Sequence, residues 1–299
     1  MEKEITKTEI TEYYTKNTLI SEVQNDPAFG DYGRLIFPVD SGYMGGSTLG
    51  NLSLAWYNYI DPDKTVEICN YMKTQAESGD NFFYDIYTDE EKKADPNKED
   101  TGMVFLKGNT GAKFAVVNAG GGFAYVGAMH DSFPHALELS KMGYNAFALI
   151  YRPGAQTACE DLARAIAFIH EHAEELQVDT EGYSLWGGSA GGRMADWVGT
   201  YGTQDFGEKE YPRPAAVIVN YTGLSEVTGY EPPTYSAVGT SDGIANWRTM
   251  KSRLEKMEAS GIPIEFHSYE GMPHGFGLGT GTVAEGWIDD AVAFWEKQM

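Results

Sequence analysis

The sequence predicts an α/β fold: a mostly parallel central sheet with helices on both faces. Three observations carry this. Short segments that are apolar throughout, such as FAVVN (114–118) and AAVIVNY (215–221), alternate along the chain with longer amphipathic ones; a strand apolar at every position is one buried on both sides, as in parallel sheets. The intervening segments carry helical spacing, clearest where Leu162, Ile166, Ile169, Ala173 and Leu176 line up as one stripe. No internal repeat with a period of about 20–50 residues and no Pro- or Ser-rich linker interrupts the alternation.

Taken in order, residues 1–78 stand apart. FPVDSGYMGGSTLGNLSLAWYNYI (37–60) is rich in glycine and aromatics, and Asp61-Pro62 then supplies an N-cap and first turn for a helix to about Ala76. A segment this short with so little apolar periodicity is not expected to fold alone. It reads as an N-terminal extension packed on a catalytic domain of residues 79–299, serving either as a brace or as a cap over a site.

From there, FFYDIY (82–87) and MVFLK (103–107) read as strands joined by a solvated loop, TDEEKKADPNKEDT, with nine charged residues in fourteen. FAVVN follows, then a helix over 132–144 closing at Gly143, the strand NAFALIYR (145–152) and the striped helix. YSLWG (183–187), a helix from about Ala190 to Thr200, AAVIVNY, YSAVGT (235–240), a helix over 247–259, IPIEFHSY (262–269) and a last helix over 283–298 complete the series.

A net charge of −22 repels phosphate backbones and anionic lipid headgroups, so neither nucleic acid nor a membrane is an expected partner. The apolar runs are strand-sized, and MEKEITKTEITEYY lacks an apolar core behind a basic start, so a cytoplasmic protein without a secretory leader is the expectation. Cys69 and Cys159 have no zinc-type spacing, and no HxxxH or HExxH occurs; no metal or cofactor is expected. A homo-oligomer is compatible with all of this.

The chemistry centres on LWGGSAGGRM (185–194). G-x-S-x-G is a weak motif alone, but here it follows a predicted strand and opens a predicted helix, the context a nucleophile elbow requires. A serine hydroxyl needs a base, and the base an orienting carboxylate. Asp242 follows the strand YSAVGT, and His274 lies in the loop EGMPHGFGLG after IPIEFHSY. Asp205 and Asp179 are weaker rivals for the acid, Asp179 preceding the nucleophile strand and so belonging at the wrong end of the sheet. NAGGGF (118–123) ends another strand, so the N–H groups of Gly121 and Gly122, with that of Ala190 at a helix start, are candidate oxyanion donors. Phe123, Tyr125, Trp247 and Phe276 neighbour these motifs in sequence and are candidates to line a small apolar pocket, packing in the core or at its rim being the alternative.

NAGGGFAYVG, KMGYNAFALIYRPG, LWGGSAGGRMA, VGTSDGIAN and GMPHGFGLG together resemble the α/β-hydrolase superfamily, specifically the esterase/lipase branch related to hormone-sensitive lipase and acetyl-esterase-like bacterial hydrolases. The resemblance spans about Phe82 to Met299. It implies Ser189 as nucleophile, His274 as proton shuttle, Asp242 as its orienting acid, and Gly121, Gly122 and Ala190 around the oxyanion. Ala119 stands where many members have histidine, and Gly243-Ile244 where the branch often has Pro-Leu.

The function this implies is a serine carboxylesterase acting on short, acetyl-like acyl groups, with a small-molecule ester such as an acetylated sugar as substrate. A serine peptidase of the same fold, or a catalytically silent binding protein, are the alternatives.

Overall fold

The structure, a computed structural model, describes residues 9–299. Residues 1–8, on which much of the leader expectation falls, lie outside the described residues.

The extension builds from short irregular pieces: α1 (Ile20–Gln24), a 3-10 segment over Pro27–Leu35, the two-stranded antiparallel ribbon β1 (Met44–Gly45) and β2 (Ser53–Leu54), then α2 (Pro62–Ser78). The Asp61 carboxylate caps α2 by accepting from the N–H groups of Asp63 and Lys64, at 2.9 and 3.2 Å. Gly79, at φ 78°, ends it in the left-handed region that glycine enters without a Cβ penalty. Tyr14, Ile20, Phe29, Leu35 and Phe37 are buried in the same apolar cluster as Ala115, Val117, Trp186 and Ile218 of the main sheet. The extension therefore shares the core of the sheet.

Eight strands form that sheet: β3 (Phe83–Tyr84), β4 (Gly102–Leu106), β5 (Lys113–Asn118), β6 (Asn145–Ile150), β7 (Asp179–Gly188), β8 (Ala216–Asn220), β9 (Thr234–Gly239) and β10 (Ile264–Tyr269). Their spatial order is β3-β4-β6-β5-β7-β8-β9-β10. β3 and β6 flank β4 antiparallel, and all remaining neighbours are parallel. Period-two alternation splits each central strand between two cores. In β5, Ala115 and Val117 face one cluster and Phe114 and Val116 the other; in β8, Ala216 and Ile218 oppose Val217 and Val219.

The remaining helices are α3 (Asp89–Ala94), α4 (Ala128–Asp131), α5 (Phe133–Lys141), α6 (Ala155–Glu171), α7 (Ala173–Leu176), α8 (Ala190–Tyr201), α9 (Trp247–Ala259) and α10 (Trp287–Glu296). Apolar residues of α2, α5 and α10 cover one face of the sheet, and those of α6 and α8 the other. The α/β architecture is as the apolar alternation predicts.

Three local expectations need correction. The charged connection before β4 is not a bare loop: it forms α3 and a 3-10 turn over Pro96–Asp100. Thr88 and Glu91 make a reciprocal capping box at 3.2 and 2.8 Å, which gives the charged run a helix start. The striped helix breaks at His172 into α6 and α7. The last helix starts only at Trp287, because Gly286 holds φ 89° before it.

A buried ion pair fixes the charged connection to the sheet. Asp161, fully buried, receives the Arg152 guanidinium through Nη2 at 2.7 Å and Nε at 3.0 Å, the Arg152 backbone N–H at 2.7 Å and the Tyr87 hydroxyl at 2.6 Å. Arg152 reaches on to Asp95 at 2.9 Å. Removing the cation leaves a carboxylate unpaired in the interior, so Arg152→Met is expected to cost roughly 3–5 kcal/mol in urea unfolding. Arg152→Met/Asp161→Leu is expected to recover most of that loss, since the charge needing a partner is gone.

Candidate active site

β7 runs into α8 through a single residue, Ser189, held at φ 52° and ψ −122°. A non-glycine residue in this region costs on the order of 1–3 kcal/mol and persists only where its surroundings over-determine it. Here the Ser189 N–H donates to the Asn220 carbonyl at 2.9 Å, and its own carbonyl accepts from the Arg193 N–H at 3.1 Å. The flanking glycines are steric necessities: a Cβ on Gly191 would lie 2.0 Å from the Asn118 carbonyl oxygen, and one on Gly187 would lie 2.3 Å from the Gly191 carbonyl. The motif is thus two close approaches around one strained serine, which is projected from the carboxyl end of β7.

The turn after β9 brings Asp242 to the same edge. Its Oδ1 accepts from the N–H groups of Ile244 and Ala245, each at 2.7 Å, and its Oδ2 accepts from His274 Nδ1–H at 2.8 Å. The Asp242 carboxylate is wholly buried and the His274 ring nearly so. With Nδ1 carrying the proton, Nε2 is the free acceptor, and it lies 3.0 Å from Ser189 Oγ. The structure therefore brings Ser189, His274 and Asp242 into one continuous hydrogen-bonded chain. Asp179 sits at the far end of β7, beside Lys113 at 3.1 Å, and Asp205 in the turn after α8.

The loop after β5 passes directly over the serine; a Cβ on Gly120 would lie 2.7 Å from Ser189 Cβ. Gly121 (φ 132°) and Gly122 (φ 63°) border the cleft above the hydroxyl. The N–H groups of Gly121, Gly122 and Ala190 donate to no acceptor among the described residues, whereas that of Gly120 is taken by Asp131 at 2.7 Å. Three unpaired donors beside a serine are what a developing oxyanion requires.

The cleft holds about 310 Å³ and is lined by Trp56, Tyr57, Gly121, Gly122, Ser189, Ile244 and His274. None of the four expected aromatics lines it. Phe123 stacks parallel to Trp197 with centroids 6.2 Å apart, and Trp247 opens α9 under the Arg248 guanidinium. Tyr125 is buried, stacked on Tyr43 at 4.9 Å with its hydroxyl donating to the Ala55 carbonyl at 2.6 Å. Phe276 lies edge-on to Tyr221 and lines a separate cavity of about 300 Å³ with Met129, Met272 and Leu278. Nearness in sequence to a motif does not decide direction here: Phe123, Tyr125 and Phe276 sit in turns or loops and Trp247 at a helix start, and each packs away from the cleft.

The lining residues missed, Trp56 and Tyr57, come from the extension, more than a hundred residues before the serine. Trp56 is half exposed and, like Ser189, has a positive φ, 67°. The clustering of aromatics and glycines in 37–60 was the only sequence signal for them. Ile244, mostly exposed, follows the acid by two residues.

Among the described residues no group of three or more His, Cys, Asp or Glu is placed to hold a metal ion, and no helix is long and apolar enough to cross a membrane. Cys69 and Cys159 are both buried, and burial pushes the Cys159 thiol up to about 12.

Comparison with known proteins adds to this geometry. The fold is similar to an acetyl ester-xyloside bifunctional hydrolase from Caldicellulosiruptor lactoaceticus (TM-score 0.62, 21% identity, 72% of this chain and 95% of that one). It is also similar to a thermophilic esterase from the planctomycete Thermogutta terrifontis solved with propionate (0.58, 21%, 66% and 89%) and to a sugar hydrolase from Lactococcus lactis (0.57, 21%, 66% and 94%). At such identities the likeness is one of fold. No curated protein matches the sequence. The model of the BD-FAE family matches residues 104–258, a span holding the glycine loop, Ser189 and Asp242, with His274 just beyond it. A match over more than half of the 299 residues shows that the chain belongs to the BD-FAE family, within the α/β-hydrolase superfamily.

Proposed function

We propose that this protein is a serine carboxylesterase that hydrolyses short, acetyl-like acyl esters through an acyl-enzyme intermediate. The observation that carries the reading is the chain Ser189 Oγ, His274 Nε2, Asp242 Oδ2, at 3.0 and 2.8 Å, beside three unpaired backbone donors. In this reading Ser189 Oγ attacks the ester carbonyl while His274 Nε2 takes its proton. The oxygen that gains charge faces the N–H groups of Gly121, Gly122 and Ala190, at the start of α8, whose dipole also favours an anion. Collapse expels the alcohol, which takes the proton back from His274. Water, activated by the same imidazole, then attacks the acyl-serine and releases the acid.

The size of the acyl group follows from the walls. A cleft of about 310 Å³ bordered by Trp56, Tyr57 and Ile244 suits a small acyl group better than a long chain. The half-exposed Trp56 indole offers a flat apolar face to the alcohol half, for which an acetylated sugar is a suitable occupant. The name of the C. lactoaceticus hydrolase, an acetyl ester-xyloside enzyme, points the same way. Since Trp56 and Tyr57 belong to residues 1–78, that extension acts in this reading as a cap that shapes the substrate pocket, on a catalytic domain of residues 79–299.

Turnover of p-nitrophenyl acetate, butyrate and octanoate tests the reading. The expected result is kcat/KM falling with chain length. A preference for octanoate overturns the short-acyl assignment, and no turnover of any ester overturns the esterase reading in favour of a silent binding protein.

A further inference from the structure

With alanine at position 119, the loop carrying the oxyanion donors is anchored from elsewhere. Gly120, between Ala119 and those donors, gives its N–H to Asp131 Oδ2 at 2.7 Å. Asp131 is 1% exposed, and no cation pairs with it among the described residues. It instead accepts from the Tyr57 hydroxyl at 2.8 Å and from the Tyr221 hydroxyl. Burial foremost, then the Asp131 charge, pushes both phenols well above their ordinary range, so each remains a donor.

These contacts meet beneath the reacting atoms. The carboxylate is pressed against the residue preceding the serine: a Cβ on Gly188 would lie 2.6 Å from either carboxylate oxygen. The Tyr221 ring stands edge-on to the His274 imidazole at 5.3 Å. Tyr57 lines the cleft and lies against Gly275, where a Cβ would fall 2.5 Å from its ring. His130, the residue before Asp131 on α4, gives its Nε2–H to the Gly275 carbonyl at 2.7 Å, next to the base. Burial pushes the His130 ring below the ordinary histidine range. One turn of helix therefore touches the oxyanion loop, the elbow, the base loop and the extension.

A buried carboxylate without a cation is costly and persists where it accepts several hydrogen bonds at once. Its cost here is offset only when loop, extension and the turn after β8 are all seated. We propose that Asp131 is a positioning residue: through its bond to Gly120 it sets the distance between the oxyanion donors and Ser189. This role rests on the esterase reading above.

Asp131→Asn keeps the shape but removes the charge and one acceptor. With active sites titrated by a fluorophosphonate, kcat for p-nitrophenyl acetate per labelled serine is expected to fall about 10- to 100-fold, less than the loss of an oxyanion donor outright, while KM stays within about threefold. The inhibition constant of a trifluoromethyl ketone, which adds to serine to form an oxyanion, is expected to rise in step with the fall in kcat/KM. A folded variant with wild-type kcat per labelled serine and only a lowered melting temperature overturns the role. Amide exchange in the wild type provides a second reading: Gly120 is expected to exchange slowly beside fast-exchanging Gly121 and Gly122, and an unprotected Gly120 overturns the proposal even if the variant does not fold. A wild type with neither turnover nor labelling overturns the esterase reading and this role together; an active wild type with an unaffected variant overturns this role alone.

Discussion

Replacing Ser189 with alanine is expected to lower kcat for p-nitrophenyl acetate by on the order of 10⁴- to 10⁶-fold, with KM little changed. The expectation is this large because the hydroxyl is the only part of the hydrogen-bonded chain positioned to form a bond to carbon. It is finite because the rest of the site survives: Gly121, Gly122 and Ala190 still present their N–H groups, and cleft binding alone retains some acceleration over water. The change is also clean. Alanine keeps the Cβ that the elbow already accommodates at φ 52°, and no backbone bond is lost, so the melting temperature is expected to match wild type. Loss of activity with an unchanged melting curve separates chemistry from folding.

The second large effect is expected from Asp242→Asn, with kcat lowered about 10⁴-fold and the fold intact. Oδ1 of Asp242 is held by the N–H groups of Ile244 and Ala245, both at 2.7 Å. In the variant the amide oxygen stays with those donors, which turns the NH2 group toward His274 Nδ1. An N–H facing Nδ1 requires that nitrogen to be bare, so the ring proton moves to Nε2. The nitrogen 3.0 Å from Ser189 Oγ then carries a hydrogen and no longer accepts one. The expected signature is a deep loss of kcat with ester binding retained. A reduction below tenfold would show that the carboxylate does not set the imidazole tautomer.

How much of this was legible in the sequence differs by region, for physical reasons. The inner strands β5, β6 and β8 were readable because both faces are covered, which leaves runs such as FAVV and AVIV with no polar interruption. The elbow was readable because G-x-S-x-G stands between an apolar strand and a helix, although only the Gly187 clash is local to the motif and that of Gly191 is with Asn118 on β5. The order Ser189, Asp242, His274 was readable because each residue follows a strand at the same edge of the sheet. The extension resisted because Tyr14, Phe29, Leu35 and Phe37 are buried from 3-10 turns and irregular chain, which have no period to detect. The same irregularity hid Trp56 and Tyr57. The Thr88–Glu91 capping box is spelled in the sequence, but nine charges in fourteen residues read first as a solvated loop. Asp131 carries no motif; two of its three donors, Tyr57 and Tyr221, come from distant parts of the chain.

The central claim, that Ser189 is a nucleophile driven by His274 and Asp242, is tested most directly by locating covalent phosphonylation. Wild-type protein treated with a fluorophosphonate is expected to carry one adduct per chain, on the tryptic peptide containing Ser189, formed orders of magnitude faster than in His274→Ala or Asp242→Asn. An adduct on another residue, no adduct, or equal labelling rates in all three proteins would contradict it.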